Sequence, residues 1–230
     1  MTTLKPQYLS TTTDIAIDCS NATAILGGAF DPVHFGHLNP AINIAKWLGF
    51  ATIKLLPTHI PVHKQPTSAS AEHRLAMLQR VCEQYPLFQC DPRELLRHGP
   101  SYTVDSLQEI KQEQPNTPLF FLIGADSLLS FTTWHQWQRI LTLCHLIIST
   151  RPHHELAEFN PQTQQLIEQH KVDNLSELLT MRAGGILFAP PSYIDISSTD
   201  LRQQYQTTLT TQNLIPPVVQ DYINQWQLYR

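Results

Sequence analysis

The chain has no excess of positive charge: 15 Lys and Arg stand against 19 Asp and Glu, for a formal net charge of −4. That balance provides no global field to recruit nucleic acid, so any anion it binds is held by a local cluster of donors. Cysteine is scarce. Cys19, Cys82, Cys90 and Cys144 show no paired spacing, and three of them lie in apolar segments, where a thiol behaves as a small buried hydrophobe. A reducing, cytoplasmic setting is expected. No apolar run is long enough to span a membrane, and residues 1–20 lack the apolar core of a signal peptide. No membrane partner is expected, and residues 1–20 read as a mobile leader ahead of a single domain over residues 21–230, a length that fits one full-sized core.

What is present from Ala22 onward is an alternation of short apolar runs with amphipathic stretches. Strands are expected at Thr23–Leu26, Thr52–Leu56, Leu87–Cys90, Leu119–Ile123, His145–Ser149 and Ile186–Ala189, rich in Ile, Leu and Phe as buried parallel strands are. Between them, Ala41, Ile44, Ala45 and Leu48 share one helical face, Leu75, Leu78 and Cys82 a second, and Val104, Leu107 and Ile110 a third. This order predicts an α/β fold, a doubly wound parallel sheet with helices on both faces and a small C-terminal helical part. Residues 57–70, with three prolines, read as a loop over the carboxyl edge of the sheet, where ligands bind. Residues 151–184 read as a polar, peripheral insertion.

The stretch Ile25 to Ala41, "ILGGAFDPVHFGHLNPA", concentrates the chemistry. A strand ending in Gly27 and Gly28 and passing through Asp-Pro into a helix can bring bare backbone to a phosphate, with the first helical amides aimed at it. His34 and His37, three apart, fall on one side of the first turn, where the helix dipole favours negative charge and imidazole can donate to phosphate oxygens. Gly36 between them leaves room for a ligand. Two other readings stand beside this one: a glycine turn with two surface histidines, and metal ligation by the His-x-x-His pair. The latter would need further ligands, and only the loosely placed His59, His63, His153 and His154 are on offer.

"GGAFDPVHFGH" resembles the first signature of the HIGH-motif nucleotidyltransferases, and "ISSTDLR" at 196–202 resembles their second. "PVHK" at 61–64, "SYTVDSL" at 101–107, "FLIGADSLLSFTTW" at 121–134 and "RP" at 151–152 resemble the bacterial nicotinate-nucleotide adenylyltransferases in particular, and the likeness runs from about Ala22 to the closing "YINQWQLYR".

The resemblance implies a Rossmann-like fold and adenylyl transfer from ATP to nicotinate mononucleotide, giving nicotinate adenine dinucleotide and pyrophosphate in NAD biosynthesis, with Mg²⁺ arriving on the ATP phosphates. It implies His34, His37 and Arg202 as catalytic groups. Gly27, Gly28, Ala29, Phe30, Gly36, Gly124, Asp126, Ile196, Ser197 and Ser198 would hold ATP and its phosphates. Ala29 stands where the family has Thr or Ser, so it contributes through its backbone alone. Lys64, Tyr102, Thr103, Trp134, His135 and Arg151 would hold nicotinate mononucleotide, with Trp134 stacking on the cationic ring. No metal-ligating side chains are implied. Ser197 or Ser198 can cap a helix that carries Arg202 four residues after Ser198, a planar, permanently charged fork suited to β- and γ-phosphates. A sister enzyme with another acceptor, nicotinamide mononucleotide or phosphopantetheine, shares both signatures, and a nucleotide-binding sensor without turnover is the alternative of another class.

Overall fold

The six apolar runs pair into one parallel sheet in a computed structural model that describes residues 19–59, 67–97, 99–150, 159–191, 196–207 and 213–230. The strands are β1 (Thr23–Gly28), β2 (Ile53–Pro57), β3 (Phe88–Cys90), β4 (Leu119–Gly124), β5 (His145–Ser149) and β6 (Ile186–Phe188). Each lies within two residues of its expected position. They stand side by side in the order β3-β2-β1-β4-β5-β6, and every pairing is parallel. The α-helices among the described residues are α1 (Phe35–Leu48), α2 (Ala71–Gln84), α3 (Thr103–Glu113), α4 (Ala125–Leu129), α5 (Trp137–Leu143), α6 (Pro161–His170), α7 (Leu175–Thr180), α8 (Ser198–Gln206) and α9 (Pro217–Trp226).

Alternation along the strands divides the interior in two. Ala24, Phe120, Leu122, Ile147 and Leu187 face a core shared with α1, α2, α7, α8 and α9, whereas Ile25, Phe121, Ile123, Leu146 and Ile148 face one shared with α3, α4, α5 and α6. A sheet buried on both faces needs apolar residues at successive positions, which is why its strands read as runs rather than alternations. The order is the Rossmann one, in which the connections from β1 and from β4 leave in opposite directions, so a crevice opens at their carboxyl ends.

Two expectations need correction. The buried stripe of α2 is Arg74, Met77, Leu78 and Val81; Leu78 is buried as expected, whereas Leu75 and Cys82 are half-buried beside the stripe, because three backbone carbonyls draw the Arg74 guanidinium inward. The stretch to Gly184 is not peripheral. Leu166 and Ile167 of α6 enter one core and Val172, Leu175 and Leu178 enter the other, while Val172 N donates to Ile186 O at the edge strand. A polar average conceals apolar residues at helical spacing. Of the expected leader, residues 1–18 lie outside the described residues.

Candidate active site

A cleft of about 770 Å³ opens at the carboxyl edge where β1 and β4 part. Every sequence-predicted site residue that the structure describes lines it. The turn after β1 contributes Gly27, Gly28, Ala29, Phe30, His34, Gly36 and His37, and α8 with its approach contributes Ile196, Ser197, Ser198 and Arg202. From the other side come Tyr102 and Thr103, Gly124 and Asp126, and Trp134 and His135. Lys64 and Arg151 lie outside the described residues, as do His63, His153 and His154.

The turn after β1 is built by close packing. A Cβ on Gly27 would sit 3.0 Å from the Phe121 ring, and one on Gly28 would sit 3.3 Å from the ring of Phe30. Phe30 itself adopts φ 50° and sets its buried ring edge-on to His37 at 5.2 Å. His34 occupies the N-cap of α1 in extended conformation without capping through its side chain. Its imidazole is therefore available elsewhere: it stacks on His37 with centroids 3.8 Å apart and 29° between planes, and its Nε2 lies 3.0 Å from Ser198 Oγ. The Ser198 hydroxyl also lies 3.3 Å from Pro32 O, so it stands between the His34 ring nitrogen and a backbone carbonyl of the first turn.

The two signatures touch. Besides the His34–Ser198 bond, the Cα of Gly36 packs so tightly that a Cβ there would lie 2.7 Å from Ile196 O and 2.8 Å from the His34 ring. Gly36 thus packs against the second signature's backbone on one side and lines the cleft on the other. Ser197 resolves the choice of cap: it accepts from Asp200 N at 3.1 Å and donates to Asp200 Oδ2 at 2.6 Å, leaving Ser198 to bridge to His34. Arg202 reaches back across the cleft floor, donating through Nη1 to Asp31 O at 2.8 Å and through Nη2 to Thr199 Oγ1 at 3.2 Å.

At the opposite end, Tyr102 is the N-cap of α3 and Thr103 its first residue, with no side-chain cap bond. The helix start therefore presents backbone donors. The rings of Tyr102 and His135 lie 4.4 Å apart. Trp134 is half-buried, edge-on to Phe121 at 6.4 Å and tilted against Phe131 at 5.4 Å, so it is both a packing residue and a wall of the cleft.

Sequence reasoning missed four residues. Asp31 is buried, and its carboxylate accepts from Ser68 N at 2.6 Å and Ala69 N at 3.0 Å. Arg74, 1% exposed, donates to Ala29 O, Thr58 O and His59 O at 2.8, 2.7 and 3.3 Å, fastening the first turn to the end of β2. Burial pulls its pKa down and the Asp31 carboxylate opposes this. Glu94 lines the cleft beneath Ser101, accepts from Ser106 Oγ at 2.7 Å, and has its carboxyl pKa raised by burial. Tyr229 donates to Asp31 Oδ1 at 2.7 Å. Asp31 sat in a quoted motif, but Arg74 looked like the polar flank of an amphipathic helix and no local signal marks the others.

Among the described residues no three His, Cys, Asp or Glu side chains converge as a metal site, and no helix is long and apolar enough to cross a membrane. The sequence matches the cytidylyltransferase-like family over residues 25–204. A probable nicotinate-nucleotide adenylyltransferase of Aeromonas hydrophila is 43% identical over 206 residues, covering 90% of this chain and 96% of that protein. Its counterpart in Pectobacterium atrosepticum is 41% identical over 209 residues, covering 90% and 98%. The Plasmodium falciparum nicotinic acid mononucleotide adenylyltransferase complexed with NaAD shares the fold, with TM-score 0.67 at 19% identity over 91% of this chain and 97% of that one. The chain belongs to the cytidylyltransferase-like family, in its nicotinate-nucleotide adenylyltransferase branch.

Proposed function

We propose that the cleft transfers the adenylyl group of ATP to the phosphate of nicotinate mononucleotide, giving nicotinate adenine dinucleotide and pyrophosphate, in the cytoplasm, as one nucleotidyltransferase domain over residues 21–230. The observation that carries this reading is the contact between the two signatures: His34 and Ser198, 164 positions apart, meet at 3.0 Å on the wall of a cleft of about 770 Å³.

An acceptor phosphate oxygen attacks the α-phosphorus, the bond from that phosphorus to the bridging oxygen breaks, and pyrophosphate departs. The attacking phosphate has its second pKa at about 6 and is already ionised at neutral pH, so no general base is required. What the protein must supply is alignment of two anions and donors where charge grows. In this reading His34 and His37 provide ring N–H groups at the dipole-positive start of α1. A phosphate oxygen entering beside Ser198 Oγ accepts a hydrogen bond from the His34 ring N–H. Amides of the Gly27–Phe30 turn and of the start of α8 cradle the polyphosphate, and Arg202 neutralises the departing pyrophosphate. Asp126, at the first turn of α4, faces the ribose. Mg²⁺ enters as part of the nucleotide, which suits a cation that keeps its waters and substrate phosphates as ligands; when bound it spreads the charge of the leaving group.

The acceptor occupies the end lined by Tyr102, Thr103, Trp134 and His135. The amides opening α3 and the Thr103 hydroxyl suit the nicotinate carboxylate, and the half-buried indole suits the pyridinium. Lys64 and Arg151 are assigned to the acceptor phosphate on resemblance alone. Pyrophosphate release measured with ATP and, in turn, nicotinate mononucleotide, nicotinamide mononucleotide and phosphopantetheine tests the reading. The acid mononucleotide is expected to react far faster than the other two. Preference for phosphopantetheine, or no turnover with any acceptor, would overturn it.

A further inference from the structure

Asp31 joins β1 to α1, and its carboxylate is buried against four donors. Two are the amides of Ser68 and Ala69. The third is the Tyr229 phenol, 2.7 Å from Oδ1, and the fourth is Arg202 Nη1, which stays 3.9 Å from Oδ2. A buried carboxylate within reach of a guanidinium favours the short two-bond fork. That fork is not formed here. Arg202 donates instead to the Asp31 backbone carbonyl, and its side chain remains 27% exposed along the cleft. Oδ1 already takes two donors, Ala69 N and the Tyr229 phenol, so one arm of that fork has no lone pair left, while Oδ2 takes Ser68 N.

Tyr229 comes from the segment after α9, 198 positions beyond Asp31. Its ring lies 6.0 Å from that of Tyr205 on α8, so this one residue contacts both the first turn and the helix that carries Arg202. We propose that Tyr229 is a positioning residue of the polyphosphate site: its phenol satisfies Asp31 Oδ1 and thereby keeps the Arg202 guanidinium from closing onto the carboxylate, presenting it to the nucleotide. This rests on the reading of Arg202 as a polyphosphate ligand. Burial and the Asp31 charge push the phenol's pKa well above its ordinary value, so the hydroxyl stays a donor at every pH at which the protein would work. The ring packs against the core that includes α9, while the oxygen alone reaches Asp31.

Tyr229→Phe keeps the ring and removes the donor. Titration of ATP into the protein by calorimetry, without acceptor, is expected to show Kd raised about tenfold or more, the scale of one hydrogen bond to a charged group. The apparent KM for the acceptor should change less than twofold. In an Asp31→Asn background, where no charge pulls on Arg202, adding Tyr229→Phe should change ATP affinity less than twofold. An unchanged ATP Kd in Tyr229→Phe overturns the proposal, and so does equal weakening of ATP and acceptor accompanied by a lower melting temperature, which is the pattern of a packing residue. Because the readout is ATP binding without turnover, a wild-type protein that binds ATP but releases no pyrophosphate with nicotinate mononucleotide would defeat the proposed reaction and leave this inference standing.

Discussion

Replacing Gly36 by alanine perturbs the contact that joins the two signatures and little else. Gly36 is the second residue of α1, where alanine is the better helix former by about 1 kcal/mol. Its backbone needs no glycine; what needs it is space. An added Cβ would stand 2.7 Å from Ile196 O and 2.8 Å from the His34 ring. To restore ordinary contact the carbonyl must retreat by about 0.7 Å, and a close-packed interior resists such a shift. Overpacking of this kind costs about 1–3 kcal/mol, and the helix preference offsets roughly 1 of those. A net loss of at most about 2 kcal/mol corresponds to a fall in Tm of about 4–8 °C for a chain of this size, which leaves the protein folded. Activity should suffer more. The obstacles are the His34 imidazole, proposed as a phosphate donor, and the backbone entering α8, so the methyl group drives the two signatures apart, and misplacement approaching 1 Å costs about 10²-fold in rate. Pyrophosphate release and thermal melts on the same preparation read both quantities. A Gly36→Ala enzyme within twofold of wild-type kcat would refute the argument that the two signatures must meet closely.

Further outcomes are expected elsewhere. His34→Ala and His37→Ala should each lower kcat by about 10²-fold or more with little change in Tm; near-normal turnover in both would remove them from the chemistry. Thr103→Val should hurt nicotinate mononucleotide more than nicotinamide mononucleotide, because only the acid offers an anionic acceptor, and Trp134→Ala should raise the acceptor's KM about tenfold while ATP's stays put. Equal losses for acid and amide, or a much lower Tm with unchanged KM, would return these residues to packing. Arg74→Met strands the carbonyls of Ala29, Thr58 and His59 and should cost about 3 kcal/mol or more, with Arg74→Lys recovering only part; a melting curve like wild type would contradict this. His145 is buried at the start of β5, accepts from Gly185 N, and has its pKa pushed down to about 4 from 6.5 by burial. The unfolded chain therefore takes up this proton first, so the contribution of about 3 kcal/mol is fully present above pH 6.5 and lost as pH falls toward 4. Urea midpoints across that range should fall for wild type and flatten in His145→Gln; parallel slopes would show that another group is responsible.

What could be read from the amino-acid order alone is what depends on near neighbours. The six strands are continuous apolar runs because a sheet covered on both faces has no polar side, and α1 and α3 bury the residues that a 3.6-residue period selects, Leu48 and Leu107 among them. The residues that line the cleft were legible because each signature is short: its glycines, histidines and serines stand close together in the chain and are carried to the cleft as a group. Near-neighbour reasoning failed where a distant partner outweighed it. Arg74 turns inward to carbonyls at the ends of two strands, and the polar segment after β5 hides Leu175 and Leu178 in a core its average denies. Only the tertiary structure decided that Gly36 packs against Ile196 O and the His34 ring, that Ser198 and not Ser197 meets His34, and that Tyr229 answers Asp31. Those contacts span 160, 164 and 198 positions. They exist because the strand order opens a crevice between β1 and β4 and the start of α8 lines it, a consequence of how the whole sheet closes its two cores and not of any local pattern.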